Sequence, residues 1–489
     1  MTATTIETLS LKDLDQANLA AWSEALGDPE WLRARRLAAL AALDKLERPG
    51  PREEAWRFTD PKRAGLDRHR ILRTGGQARD DGASVFAGAG AGEHAEAGSL
   101  QRPSSDLELE AGGLVTVVDG AATEASLDVD LAARGVVLTD FVTAAREHPE
   151  LVEPRFMTSA APFEEDWFLA LHAACVTAGA FLYVPPGVEL AVPLGALYRR
   201  TAPGATFAHT LVVVGEGAAL TFVQQHESPD AIGGRAFHHG VTELLVGPNA
   251  AVQLLNLQEW GSEEVNHFGV LRTEVARQAK FRSFVVTLGG GTVRISPETR
   301  LYEGAEADFL GAAFADSGQR FEHRATTHHV EPHARSQLLY KGGLLGGSRN
   351  IFYGNILIYP GARGSDAGQT MRNLVLSKHA HAEAIPFLEI ENSDVRCAHA
   401  AATGRVDDLH LFYLQSRGIP RTEARRLVVF GFFEEILAQA TVPAVRRRLE
   451  EALEAELAKL ADEEPSGEPV AAGSIPGSQG AAAAGAGEG

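Results

Sequence analysis

The sequence predicts a mainly β protein whose core is a solenoid of stacked coils, with α-helical segments at both ends. Three observations predict it. Short apolar runs separated by turns recur through the middle of the chain, a small residue follows many of those turns at near-constant spacing, and no long helical pattern interrupts residues 205 to 395. The small residues are Ala218, Ala250, Ala279, Ala305, Ala334 and Ala362, separated by 32, 29, 26, 29 and 28 positions. Five of the six share a context, as in Gly215-Glu216-Gly217-Ala218 and Tyr359-Pro360-Gly361-Ala362. Such a period suits coils that bury their interior only when neighbours stack on them, with small side chains at the corners. A β-sandwich or barrel with evenly spaced turns is the competing reading.

Residues 1–75 read as an N-terminal helical region. Asp28 is placed to cap a helix with Pro29 in its first turn, and Trp31, Leu32, Leu37, Leu40, Leu43 and Leu46 form its apolar face. Trp56 and Phe58, two apart, predict an extended piece against the core. Residues 76–105, rich in Gly, Ala and Asp, read as a variable loop. The strand pattern fills 106–418, beginning with the apolar runs 114–118 and 136–138. It is interrupted by an inserted helix near 164–176 that carries Trp167, Phe168, Leu171 and a buried Cys175. Residues 419–461 form a C-terminal helical region. Its first helix offers Ala424, Leu427, Val428, Phe432 and Ile436 for packing; Thr441 caps the second, whose stripe is Val445, Leu449, Leu453, Leu457 and Leu460. Residues 462–489 carry too little apolar bulk to offset the entropy of ordering and read as a disordered tail.

Composition narrows the function. With 45 basic and 65 acidic residues the net charge is −20, and no dense basic stripe offsets it, which argues against nucleic-acid and anionic-membrane partners. Two cysteines about 220 residues apart exclude a disulfide-built domain and a self-contained cysteine metal site. The first residues lack the basic start and apolar run of a signal peptide, and the apolar runs are too short to span a bilayer, so the expected location is cytoplasmic. A phosphate-cradling loop ending in Gly-Lys-Ser/Thr is absent from the sequence, as are a nucleophile elbow and a His-Glu-x-x-His motif, and the chain reads as a non-enzyme.

Histidines carry what chemistry there is. Cys397 and His399 are two apart, as are His379 and His381, so on a strand each couple faces one side. Thiolate plus imidazole suits iron, copper or zinc, but two ligands are an incomplete site, and the others must come from a second chain or a bound cofactor. His238-His239, His323 and His328-His329 read more plainly as surface histidines.

The stretch Pro386-Phe387-Leu388-Glu389-Ile390, with Asp394-Val395-Arg396-Cys397-Ala398-His399-Ala400-Ala401-Ala402-Thr403-Gly404, resembles the signature of the SufB/SufD family. The match continues through Asp407-Asp408-Leu409-His410-Leu411-Phe412-Tyr413-Leu414-Gln415-Ser416-Arg417-Gly418-Ile419. Glu54-Ala55-Trp56-Arg57-Phe58-Thr59, Tyr183-Val184-Pro185-Pro186-Gly187-Val188 and Met371-Arg372-Asn373-Leu374 extend it over most of residues 50 to 440. Ser377-Lys378-His379-Ala380-His381-Ala382-Glu383 lacks the cysteine that SufB-type chains carry there, so the SufD branch is the better match.

The resemblance implies a right-handed parallel β-helix with N-terminal and C-terminal α-helical regions. It also implies a scaffold of the SUF iron–sulfur cluster assembly complex. A SufB-like paralogue pairs through the β-helix, and a SufC-like ATPase docks on the C-terminal helical region, for which Phe430, Phe432, Phe433, Glu434 and Glu435 are candidates. His399 matches the family's interface histidine and Cys397 its neighbouring cysteine, with His379 and His381 as weaker candidates. No cofactor is then expected on the chain alone. Iron or a cluster is held transiently at the interface with SufB, and flavin in the complex is left open. The alternatives are a stand-alone β-helix enzyme, metal-dependent or carbohydrate-processing, built on Asp394, Asp407 and Asp408, and a purely structural adaptor.

Overall fold

The computed structural model describes residues 9–73, 111–261 and 263–458; the segments read as a variable loop (76–105) and a disordered tail (462–489) lie outside the described residues. The core is a parallel β-solenoid of two sheets. Strands alternate between a ten-stranded sheet ending in Arg396–Arg405 and a nine-stranded sheet ending in His381–Ile390. Within each sheet, neighbours one coil apart run parallel and in register: Phe281, Ala307, Ser336, Ala367 and Cys397 form one column, and Ser283, Phe309, Leu338, Gln369 and His399 the next. Antiparallel partners, Ala121–Leu127 and Val137–Asp140, flank the sheets at the opposite end.

The corners explain the period in the sequence. All six spaced alanines are 0–1% exposed. The residue before five of them is left-handed: Gly217 (φ 66), Asn249 (57), Gln278 (59), Gly304 (63) and His333 (62). That turn aims each amide along the solenoid axis. Gly217 donates to the Pro248 carbonyl, Asn249 to Arg277, Gln278 to Glu303, Gly304 to Pro332 and His333 to Arg363, at 2.8–3.0 Å. Ala279, the position whose sequence context differed, belongs to this ladder through Gln278. The corner geometry, rather than one motif, is what repeats.

Two helical layers cover the solenoid. Gln16–Ala25, Glu30–Leu43 and Trp167–Cys175 pack on the outer face of the nine-stranded sheet, against Phe207, Leu211, Phe237 and Phe268. Asp28 does not cap its helix: Pro29 stands at the cap without a side-chain bond, and the Asp28 carboxylate accepts instead from Arg36 Nε at 2.8 Å and Ser23 Oγ at 2.7 Å, all buried. Pairing a buried guanidinium outweighs one cap bond. The segment around Trp56 is a 3-10 turn, Glu54–Trp56, rather than an extended piece, and it seats the indole among Phe168, Phe268 and the Arg294 guanidinium.

Arg421–Leu437 and Pro443–Ala458 cover the ten-stranded sheet. The first buries Ala424 and Ile436 as predicted, but Val429, Phe433 and Leu437 in place of Val428 and Phe432, and leaves Leu427 41% exposed. The second buries Val445, Leu449, Leu453 and Leu457 as predicted, while Leu460 of the predicted stripe lies outside the described residues. Thr441 bonds Gln253 Oε1 at 2.5 Å, across to the sheet. The strands end at Arg405, and a helix, Asp408–Ser416, capped by Asp407, occupies sequence assigned above to the β core.

Arg448 of the last helix reaches Glu259 at 3.0 Å. Burial raises the Glu259 carboxyl to about 7, outweighing the pull of Arg448. For an acid raised in the folded state, the contribution to stability is fully present below its unfolded value near 4.5 and is lost as pH rises through about 7. The excess in Tm of the native chain over Glu259→Gln should therefore shrink from about pH 5 to about pH 8. A constant difference across thermal melts in that window would contradict this assignment.

Candidate functional site at the open end of the solenoid

In Asp366–Val375 the alternating buried residues Ala367, Gln369, Met371 and Asn373 face the solenoid interior, and Leu374 is buried on the outer face under the C-terminal helices. The register partners of the inward residues in the last strand are Cys397, His399, Ala401 and Thr403. Cys397 and His399 consequently share the inward face, and because the sheet ends there they form part of its open mouth. Cys397 is half-buried beside Ile356, Ile358, Ala362 and Ala367, whereas His399 is exposed. Burial, and then Asp366, push the Cys397 thiol above its ordinary range, partly opposed by the Ala398 amide. The free chain thus holds it as a thiol, and forming a thiolate requires a cation or a donor from outside.

The floor of the mouth mixes amides with apolar side chains, Asn350, Gln369 and Asn373 among Phe352, Ile356, Ala367 and Met371. Asn350 Nδ2 donates to Asn373 Oδ1 at 3.1 Å, and Gln369 Nε2 to the Phe387 carbonyl at 3.1 Å. Across it, the inward positions of His381–Ile390 are Ala382, Ala384, Pro386, Leu388 and Ile390, read from their register partners Asn350, Phe352, Gly354, Ile356 and Ile358. One wall is thus small and apolar and the other carries the thiol and imidazole.

The weaker candidates lie elsewhere. His379 is in the turn before its strand, and His381 sits on the outer face of the other sheet, so they do not form a couple. His381 Nε2 meets Glu383 Oε1 at 2.9 Å, and Arg349 holds the same oxygen at 2.6 Å. Asp407 is occupied as a helix cap, accepting from Leu409 N–H at 2.8 Å. Among the described residues, no group of three or more His, Cys, Asp or Glu side chains is arranged to hold a metal ion.

The docking candidates fasten the helix to the solenoid. Phe433 is buried against Phe314, Phe430 and Phe432 are half-buried, and Lys341 Nζ, which donates to the Phe432 carbonyl at 2.6 Å, pairs with Glu435 at 2.5 Å. Glu434 pairs with Arg446 at 3.0 Å. The exposed apolar surface is instead on Asp408–Ser416, where Leu409, Phe412 and Tyr413 stand 70%, 67% and 57% exposed.

The histidines read as surface groups are interior. His238, His239, His323 and His329 are at most 2% exposed. Successive residues of a strand face opposite ways, so His238 enters the solenoid and His239 lies under the helical layer. His238 joins His226 and His267, ring centroids 5.0–5.3 Å apart, beside Trp260. Burial takes His226 down to about 3 and His323 to about 4, so both are neutral. The available signal was His-x-Gly at 238–240 and again at 267–269: a Cβ at Gly269 would stand 2.7 Å from His267 Nε2, so glycine makes room for the ring.

Two family models match the chain: "SUF system FeS cluster assembly, SufBD core domain" over residues 198–432 and "SufBD protein N-terminal region" over 107–195. The iron–sulfur cluster assembly protein SufD of Bacillus subtilis is 31% identical over 449 residues, covering 90% of this chain and 97% of its own length. A SufBD family protein of Mycobacterium bovis is 38% identical over 279 residues, 55% of this chain and 68% of its own length. One from Staphylococcus epidermidis is 30% identical over 311 residues, 63% and 66%. The mouth bearing Cys397 and His399 lies in the matched core, and the chain belongs to the SufBD family of iron–sulfur cluster assembly proteins, within which it resembles SufD.

Proposed function

We propose that the chain is a non-ATPase scaffold subunit that pairs with a SufB-like paralogue through the open end of its solenoid. In this reading the C-terminal helices dock a SufC-like ATPase, and His399 at the paired interface assists iron acquisition or cluster assembly. The observation that carries the proposal is the mouth: two terminal strands without a further strand among the described residues, and an inward-facing thiol and imidazole at that edge. Unpaired strand edges invite addition of another chain's strand. A second solenoid docked edge to edge would cover His399 and supply the ligands this chain lacks. The cluster is cargo, so a two-ligand mouth is sufficient for one partner of a shared site.

His399 offers an imidazole nitrogen as a donor to iron or as a proton acceptor when a thiol is ligated. Cys397 is raised above its ordinary range by burial, so it must lose a proton before it can bind metal as a thiolate. The test is co-expression with a SufB-like and a SufC-like protein, followed by intact-complex mass and metal analysis. A complex containing all three subunits with iron bound is expected. Recovery of this chain alone, with the other two assembling a cluster without it, would overturn the proposal.

A further inference from the structure

The helical layer does not seal the outer face of the nine-stranded sheet completely. Between the 3-10 turn Glu54–Trp56, helix Trp167–Cys175 and strands Val265–Val275, Thr292–Leu301 and Arg320–His329 lies a cavity of about 210 Å³. Its apolar wall is Trp56, Phe168 and Phe268, with ring centroids 4.9–5.5 Å apart. Its polar wall carries the guanidinium groups of Arg272, Arg294 and Arg324. Strand alternation puts them there: Val293, Ile295, Phe321 and His323 are buried in the solenoid, so Arg294, Glu322 and Arg324 point outward.

The groups around these cations leave donors unused. Arg294 is 9% exposed, and its guanidinium stands 4.1 Å from the Trp56 ring centroid. Nη1 donates to Ser296 Oγ at 2.9 Å and Nη2 to the Ala55 carbonyl at 3.1 Å, whereas Nε has no acceptor among the described residues. Glu322 Oε1 is 3.9 Å from that Nε, too far for a hydrogen bond, and the same oxygen stands 3.4 Å from Arg324. Glu298 is shared among His328 at 3.0 Å, Arg272 at 3.3 Å and Arg300 at 3.7 Å. Asp166, the remaining carboxylate on the lining, is occupied as a helix cap, accepting from the Phe168 and Leu169 amides.

We propose that this cavity is a binding site for an aromatic monocarboxylate of one ring. The carboxylate takes the unused donors of Arg294, with Arg272 alongside, and the ring packs among Trp56, Phe168 and Phe268. A guanidinium matches the two oxygens of a carboxylate, and a charge-assisted pair of this kind is the stronger for being out of water. The field at the Glu298 end is positive: burial would raise that carboxyl, yet His328, Arg272 and Arg300 hold it down at about 2. His239, also on the lining, adds no charge, since burial takes it to about 3 and Arg294 adds to the effect. The cavity is smaller than the roughly 300–1,000 Å³ of drug-sized sites, so one ring is the largest group it holds. Its walls belong to both the helical layer and the solenoid, so an occupant ties the two together.

The probe is sodium benzoate, titrated into the full-length protein by calorimetry at fixed ionic strength. It should bind with a Kd of about 1 mM or tighter. Acetate, which lacks the ring, benzamide, which lacks the charge, and inorganic phosphate should each bind at least about tenfold more weakly. Arg294→Lys keeps a cation beside Trp56 and Glu322 but removes the planar fork, and should weaken benzoate by at least about tenfold. On the unmodified protein, isotope-edited NOEs should join the benzoate ring to Trp56 and Phe168. A weaker Kd, a smaller preference over any of the three comparison compounds, a smaller loss in a folded Arg294→Lys, or NOEs to another part of the molecule overturns the proposal. If Arg294→Lys does not fold, the preferences and NOEs of the native chain decide it alone.

Discussion

His399→Ala is expected to leave folding and subunit pairing nearly unchanged while cluster content falls by at least about tenfold. The two halves have different physical causes. His399 is exposed on the last strand, without a coil over it, and substitutions at such positions change stability by no more than about 0.5 kcal/mol. Its loss as a ligand or proton acceptor at a shared site is different, because the inward residues one coil below are the amide Gln369 with Ala367 and Met371 on either side, none a substitute for imidazole. Cys397→Ser should be milder if the partner supplies the thiolate, since burial already holds the Cys397 thiol protonated. Thermal unfolding, complex mass and cluster content are to be measured on one co-expressed His399→Ala sample. Normal cluster content would defeat the role given to this residue. A dissociated complex would assign it to assembly instead, where loss of a buried interfacial hydrogen bond costs about 1–3 kcal/mol.

The second large effect is expected at the helical end. Phe412→Asp should weaken binding of the SufC-like ATPase by at least about 30-fold, the loss of roughly 2 kcal/mol that marks an aromatic hot spot. Pairing with the SufB-like subunit should be untouched. Phe412 is 67% exposed beside Leu409 and Tyr413, so an aspartate there disturbs no packing within the chain. Phe433→Ala is the contrasting variant. Its ring packs on Phe314, so its removal should destabilise this chain by about 3–5 kcal/mol, and any lost docking would come with lost fold. Equilibrium binding of the purified ATPase to each variant decides the matter. Unchanged affinity in Phe412→Asp would remove this helix from the interface.

Several features were legible in the sequence because they are local or periodic. The alanine spacing revealed the coils, since all six corners bury a small side chain and five of them place it directly after a left-handed residue. The Val445–Leu457 stripe was read correctly because one amphipathic helix rests on one flat sheet. Arg421–Leu437 was read correctly at Ala424 and Ile436 and misread between them, because it has apolar side chains on more than one face and only docking selects Val429 and Phe433 over Val428 and Phe432. The pairing of Cys397 with His399 on one face followed from strand alternation; the same rule applied to His379 and His381 failed because the strand starts at His381.

What the sequence by itself determined, then, is the repeating architecture, the helical ends and the placing of Cys397 and His399 on one face of a strand. Each depends on residues close together in the chain or separated by one coil. Tertiary structure alone decided which histidines are buried and which meet. His172, His209 and His239, whose rings hydrogen-bond in a row under the helical layer, come from a helix and two strands spread over 68 positions, and no spacing rule links a helix residue to the sheet it covers. It also decided that Asp28 serves Arg36 rather than a helix end, and that the mouth lies open at His399. The physical reason is the same in each case. Burial and partner choice are set by which surfaces stack, and stacking is a property of the whole solenoid and its two covering layers rather than of any one segment.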